Sequence, residues 1–152
     1  KDSLSVYTSD YLGYDEFEVL GDIIEVQPDN AVLFIKTHPE EDDDKYSHYQ
    51  SDHVKVIRHM SIEEMIQVPD MIIGMASMLL IELAMFRDDI ISYRPNARKK
   101  FVGEKIGATH YTKTKSQLKN HFIAPPLLRS ISFRKKFNGS GKRIAKFIES
   151  LI

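Results

Sequence analysis

The sequence predicts an α/β protein: a three-layer, Rossmann-like domain with a parallel sheet and helices on both of its faces. Two observations carry this prediction. Short apolar runs rich in β-branched residues alternate along the chain with segments of helical period. The run AVLFI (31–35) is apolar throughout, which is typical of parallel strands that are buried on both faces. At 152 residues the chain is expected to form one domain, with a helical tail from about residue 123.

The strand and helix signals can be placed in chain order. Strands are predicted over 4–9, 31–39, 53–59, 70–75, 88–95 and, as a short extended segment, 108–112. Helices are predicted over 14–26, 61–68, 77–86, 96–107 and 115–122, followed by two tail helices over 127–137 and 141–152. In the first helix Phe17, Leu20, Ile23 and Ile24 share one face. The second helix, over 61–68, opens with a capping-box pattern, Ser61 and Glu64.

The run IIGMASMLLIELAMF (72–86) is apolar enough to suggest a membrane segment, yet it contains Ser77 and Glu82. A spanning helix needs about 20 mostly apolar residues, and Arg87 and Asp88 follow at once. The run is better explained as a buried strand, a tight turn and a helix with Ser77 as its N-cap. This arrangement places Ser77 at the carboxyl end of a strand.

The charges are distributed unevenly along the chain. Residues 1–93 contain 6 Lys+Arg and 20 Asp+Glu, a balance of −14, whereas residues 94–152 contain 15 and 2, a balance of +13. One interpretation is that the two parts neutralise each other across the fold. The other is a basic face that meets a polyphosphate, an acidic partner or an anionic membrane surface.

The residues that follow most of the predicted strands are mainly polar. They are Thr8 and Ser9, His38, Arg58 and His59, Ala76 with Ser77, and Tyr93 with Arg94. Ligands of open parallel sheets bind outside the carboxyl ends of the strands, and this rim contains hydroxyl, imidazole and guanidinium groups. The sequence therefore predicts a site for an anion, most simply a phosphate.

Three of these candidates leave alternatives open. Ser77 is either a plain N-cap or a phosphate ligand aided by the helix N-terminus. Glu82 is either a solvated carboxylate or an acceptor of hydrogen bonds from ribose hydroxyls. His38 is either structural or a group that donates to a phosphate and transfers protons.

Several known phosphate-binding and metal-binding motifs are incomplete or absent in this sequence. GSGK (139–142) lacks the first glycine and the final Ser or Thr of a phosphate-binding loop, and the acidic run 40–44 lacks the spacing and glycine of a calcium loop. There is no HExxH or GxGxxG motif, and the histidines are too scattered to indicate a metal.

The chain has no cysteine, which favours a cytoplasmic location. The basic tail lacks a regular aromatic pattern, so nucleic acid is not expected as a partner.

The order of VLFIKTHP (32–39), the segment from His53 to Pro95 and the closing SGKRIAKFIESLI (140–152) resembles the C-terminal half of a GT-B-type glycosyltransferase. It is similar to UDP-N-acetylglucosamine 2-epimerase-like proteins and to sialyl- and glycerophosphate-polymer transferases with an HP motif. The resemblance implies one half of a GT-B fold that binds a nucleotide-sugar donor, of UDP or CMP type, without a cofactor or metal. It assigns His38 to the donor phosphate and to catalysis, Ser77 to phosphate and Glu82 to ribose. The rim residues Ser9, Ala76 and Arg94 complete the expected donor-binding set.

The resemblance also sets limits. The epimerases carry DSGG where this chain has Ala76 to Leu79, which weakens the alternative of a UDP-sugar 2-epimerase-like enzyme. A missing N-terminal acceptor domain is the expected partner, so the chain alone should turn over little. The expected role is in cell-surface polysaccharide synthesis. A second alternative is a non-catalytic interaction domain whose basic residues 129–146 dock on a partner or an anionic membrane surface.

Overall fold

The structure is a computed structural model that describes residues 12–126, 131–140, 142 and 146. The predicted strand 4–9 lies outside the described residues, as does most of the predicted tail helix 141–152. No helix within the described part of the chain is long and apolar enough to cross a membrane.

Helices and strands alternate along the described chain. The helices are α1 (Glu16–Val26), α2 (Ile62–Gln67), α3 (Met78–Leu83), α4 (Val102–Lys105), α5 (Lys115–Ile123) and α6 (Ile131–Phe137). The strands are β1 (Leu33–Lys36), β2 (Val54–Ile57), β3 (Ile72–Gly74), β4 (Ile90–Tyr93) and β5 (His110–Thr112), with a 3₁₀ turn at Ser47–Tyr49. All strand pairs are parallel, which confirms the predicted α/β class.

The strands form two sheets within the described residues. One contains β1 and β2, with Leu33 opposite Val54. The other has the order β3-β4-β5, with Ile72 opposite Ile90 and Ile91 opposite His110. Each parallel connection passes through a helix or a long loop, as parallel pairing requires.

Strand β4 lies at the centre of the core, and its residues are buried. Ile90 belongs to a cluster built with α2, α3 and α6, whereas Ile91 and Tyr93 belong to a second cluster built with α1 and α5. Successive strand residues point to opposite faces, so helices cover this sheet on both sides. The arrangement is consistent with a Rossmann-like fold.

Helix α1 joins the two sheets. Its buried residues are Val19, Leu20 and Ile23, and Leu33 of β1 packs against the same cluster as Ile91 of β4. The predicted apolar face is confirmed for Leu20 and Ile23. Phe17, on the same predicted face, is 41% exposed and lies beside the ring of Tyr46 at a centroid distance of 6.1 Å.

Local capping follows the sequence. The Ser77 side chain accepts a hydrogen bond from the Leu79 N–H at 3.2 Å, and Ser61 and Glu64 form the predicted capping box. Such caps satisfy backbone N–H groups that have no partner within the helix.

The predicted helix 96–107 is wrong in its first half, because α4 covers only Val102–Lys105. Asn96 has a φ of 59°, in the left-handed region, and the Arg98 N–H donates to the Leu12 carbonyl at 3.0 Å. Residues 96–101 therefore form a loop anchored to a distant segment. The predicted end at Gly107 is confirmed, since its φ of 75° stops the helix.

Among the described residues, ion pairs between the two oppositely charged parts of the chain include contacts of Lys115 and of Arg134. Lys115 contacts Asp22 at 2.8 Å and Glu25 at 2.6 Å, and Arg134 contacts Asp88 at 2.7 Å. The mutual neutralisation that the charge distribution suggested therefore takes place in part.

Candidate anion-binding site

A cavity of about 220 Å³ lies beyond the carboxyl ends of β3 and β4. The segments that line it are the stretch before α1, the second residue after β3, the first residue after β4 and the loop that enters α4. The lining residues are Leu12, Tyr14, Ala76, Arg94, Lys99, Lys100, Phe101 and Val102. It thus occupies the edge of the sheet where ligands of parallel α/β proteins bind.

The charge of this cavity is positive. Its lining contains three basic side chains and no acidic one. Within the described part of the chain, neither Lys99 nor Lys100 forms a side-chain hydrogen bond or ion pair, and both are exposed. A concave site with one sign of charge attracts ligands of the opposite sign, so the cavity suits an anion.

Arg94 is built into the wall of the cavity. It is 3% exposed, forms an ion pair with Glu104 of α4, and donates to the Ser92 Oγ at 3.0 Å and to the Lys99 carbonyl at 2.9 Å. Its guanidinium also lies 5.1 Å from the ring centroid of Tyr111. Because Glu104 balances its charge, Arg94 organises the lysine-bearing loop more than it supplies free positive charge.

Tyr14 contributes a neutral hydroxyl to the cavity. Burial raises the pKa of Tyr14, and the neighbouring Arg94 lowers it by less. The phenol therefore keeps its proton at neutral pH and can donate a hydrogen bond.

Gly13, next to Tyr14, has a φ of 96°, and a Cβ at this position would lie 2.0 Å from the Asn96 carbonyl oxygen. Only glycine permits this contact between the segment before α1 and the loop after β4. The two segments of the cavity wall therefore meet at Gly13, and no short sequence motif predicts this contact.

Ser77 lies beside the cavity, since it follows Ala76 in the chain. Its hydroxyl oxygen caps α3, and its own O–H proton is left to donate elsewhere. Helix α3 has six residues, so the field of its macrodipole is small and little of an anion's binding can come from it. Glu82 is exposed on α3, and its carboxylate makes no hydrogen bond or ion pair with another described residue.

His38 lies in the loop that follows β1. Its Nδ1 accepts a hydrogen bond from the Glu40 N–H at 3.2 Å, so in the neutral ring the proton is on Nε2. The His38 N–H donates to the Glu41 Oε2 at 2.7 Å. The imidazole is exposed and its Nε2–H can donate to a ligand.

The loop that carries His38 is held from several directions. Burial acts to raise the pKa of Glu41, but hydrogen bonds from Lys45 and from the His38 N–H outweigh it and lower the pKa. Lys45 contacts Glu41 at 2.7 Å and Glu16 of α1 at 2.5 Å. Arg58, after β2, donates to the Pro39 carbonyl at 3.2 Å. His38 is therefore presented on an ordered turn.

The predicted site residues are brought together in part. Ala76 and Arg94 line one cavity and Ser77 adjoins it, whereas neither His38 nor Glu82 is hydrogen-bonded or ion-paired to them in the described structure. Ser9 lies outside the described residues. Sequence reasoning missed Tyr14, Lys99 and Lys100. The basic run ARKK (97–100) directly after a strand was a usable signal, but it was assigned to a helix.

In the part of the chain that the structure describes, no three His, Asp or Glu side chains cluster in a way that could hold a metal ion.

Comparison of the chain with protein-family models, with curated proteins and with solved structures found no match. The geometry of the site and the order of the sequence motifs therefore carry the functional argument.

Proposed function

We propose that this chain is the donor-binding lobe of a GT-B-type glycosyltransferase and that its basic cavity binds the phosphate of a nucleotide-sugar. The observation that carries the proposal is the position of Lys99 and Lys100 beyond the carboxyl end of β4, in a cavity without an acidic side chain. The order of the HP motif at His38 and of the Ser77–Glu82 pair, which follows a strand, supports it from the sequence.

In this proposal the lysines bind the phosphate through charge, and Tyr14 and Ser77 donate hydrogen bonds to its oxygens. Glu82 accepts from the ribose hydroxyls, and the Nε2–H of His38 donates to a phosphate oxygen. The two lysines and the hydrogen-bond donors Tyr14, Ser77 and His38 stabilise negative charge where it develops as the sugar leaves the nucleotide. An acceptor held by a second lobe would complete the reaction, with cell-surface polysaccharide as the proposed product.

The test is calorimetric titration of the chain with UDP, CMP and CDP in buffer of low ionic strength without divalent metal. We expect one nucleotide to bind with a Kd between about 1 mM and 1 μM, which corresponds to about 4–8 kcal/mol. The affinity should fall as salt is added, because exposed lysines are screened within about 10 Å at 0.1 M salt. A chain that binds none of the three contradicts the proposal.

A matched pair of variants separates the cavity from general charge. Lys99→Gln with Lys100→Gln removes two positive charges at the cavity, and Lys105→Gln with Lys113→Gln removes two exposed ones elsewhere. We expect the first pair to weaken nucleotide binding at least about tenfold and the second to change it less than about twofold. Equal losses in both would contradict a site at this cavity.

A further inference from the structure

A second cavity, of about 300 Å³, lies beyond the carboxyl ends of β1 and β2. Its lining residues are Thr37, Asp43, Ser47, Gln50, Val56 and Arg58. The Thr37 N–H donates to the Ile57 carbonyl at 3.1 Å and so extends the β1–β2 ladder by one residue. Thr37 and Arg58 are thus the first residues past the two strands and are held by the sheet.

Thr37 is the most unusual residue in this cavity. It is 4% exposed, and its Oγ1 has no hydrogen-bond partner among the described residues. A buried hydroxyl without a partner is unfavourable, and most such groups in proteins are hydrogen-bonded. A ligand in the cavity that Thr37 lines would supply the partner.

The other walls offer both donors and acceptors. Gln50 uses its Oε1 to accept from the Val56 N–H at 3.3 Å, which leaves its NH₂ group as a donor. Ser47 uses its O–H to donate to the Asp44 carbonyl at 2.8 Å, which leaves its oxygen as an acceptor. Such mixed donors and acceptors match ligand hydroxyl groups, which both donate and accept.

The charge around this cavity argues against an anion. Arg58 is ion-paired with Asp43, which also lines the cavity, so the two lining charges cancel. Asp43 belongs to the acidic run from Glu40 to Asp44, which gives this loop a negative balance. A phosphate or carboxylate would be repelled here, in contrast to the cavity that contains Lys99.

We propose that this second cavity binds one neutral polyhydroxyl ring, such as an uncharged monosaccharide, with Thr37 as a hydrogen-bonding ligand. The volume is at the small end of ligand sites, which fits a single ring. Hydroxyl groups of the ring pair with Thr37, Ser47 and Gln50, and Val56 contacts its apolar face. This inference does not rest on the proposed nucleotide site, because the two cavities share no lining residue.

The test is a titration of the full 152-residue chain, followed by amide NMR, with glucose, galactose and N-acetylglucosamine. Glucuronate serves as the anionic counterpart. We expect saturable shifts at Thr37 and Arg58 from at least one neutral sugar, with weaker or no binding of glucuronate. No saturable shift from any neutral sugar up to about 50 mM would overturn the proposal.

Two threonines provide a matched comparison. Thr37→Val and Thr109→Val each remove a buried hydroxyl that has no partner in the described structure, but Thr109 lies outside the cavity. Thr37→Val should raise the sugar Kd about fivefold to tenfold, as loss of one hydrogen bond predicts, and Thr109→Val should leave it unchanged. Equal sugar affinity in the two variants would refute the role of Thr37.

Further variants distinguish loss of sugar binding from loss of folding and from loss of nucleotide binding. Gln50→Leu removes a donor from an exposed position, so it weakens sugar binding even if Thr37→Val proves too unstable to measure. Lys99→Gln with Lys100→Gln should leave sugar binding intact, and Thr37→Val should leave nucleotide binding intact. Failure of one site can therefore be told apart from failure of the other.

Discussion

Arg94 at the end of β4 forms an ion pair with Glu104 in α4, and the two side chains are only 3% and 12% exposed. This pair connects the central strand to the helix that borders the basic cavity. A buried charge that loses its partner is costly, because water cannot replace the lost interaction.

Glu104→Gln is therefore expected to lower the free energy of unfolding by about 3–5 kcal/mol, because it leaves Arg94 buried and unpaired. Urea unfolding followed by circular dichroism measures this change. Asp43→Asn is the control, since it breaks the far more exposed Arg58–Asp43 pair and should cost less than about 1 kcal/mol. Similar losses in both variants would show that the Arg94–Glu104 pair stabilises the fold no more than a surface pair does.

Ser77→Asp separates capping from ligand binding. Asp is as good an N-cap as Ser, so we expect the free energy of unfolding to change by less than about 0.5 kcal/mol. The new carboxylate beside the cavity should weaken nucleotide binding at least about tenfold. Ser61→Asp makes the same change at the cap of α2 and should leave nucleotide binding unaltered. Calorimetry and urea unfolding measure both properties, and unchanged nucleotide affinity in Ser77→Asp would exclude Ser77 from the site.

Gly13→Ala should destabilise the chain. The new Cβ would clash with the Asn96 carbonyl oxygen at a φ of 96°, at a cost of about 1–3 kcal/mol or more. Gly21→Ala is the matched control, because it lies within α1 with no atom near the added Cβ, and it should stabilise the chain by about 0.5–1 kcal/mol. Thermal unfolding distinguishes the two, and equal effects would contradict the described contact between residues 13 and 96.

His110 and His121 predict a pH dependence of stability. Burial lowers the pKa of both rings, and His121 lowers that of His110 further. Because the pKa of each ring is lower in the folded chain, the unfolded chain binds protons at a higher pH than the folded chain does. The contribution of these histidines to the free energy of unfolding should therefore be fully present above about pH 6.5 and should decrease as pH falls below that value.

Urea unfolding at pH 7.5 and pH 5.5 measures this dependence. His110→Gln should lose less stability than the natural chain over this range, whereas His53→Gln, at an exposed position, should lose the same amount. An unchanged pH dependence in His110→Gln would rule out His110 as its source.

Features set by neighbouring residues were predicted correctly. The caps at Ser77 and Ser61 depend on hydrogen bonds that span two or three residues, so their pattern is visible in the chain. The helix predicted over 96–107 was half wrong because the Arg98 N–H bonds to Leu12, 86 positions away, which no local pattern reveals. Phe17 shares the predicted apolar face of α1 with Leu20 and Ile23, yet it is 41% exposed and lies near the ring of Tyr46.

The sequence by itself determined the alternation of strands and helices, their parallel α/β class and the polar residues that follow the strands, because side-chain period and capping act over a few residues. Only the tertiary structure decided which of those residues share a cavity. It placed Lys99 and Lys100 beside Ala76, buried Arg94 against Glu104 and left the Thr37 hydroxyl without a partner. Cavities and buried charge pairs form between segments that are distant in the chain, so their geometry follows from packing rather than from local pattern.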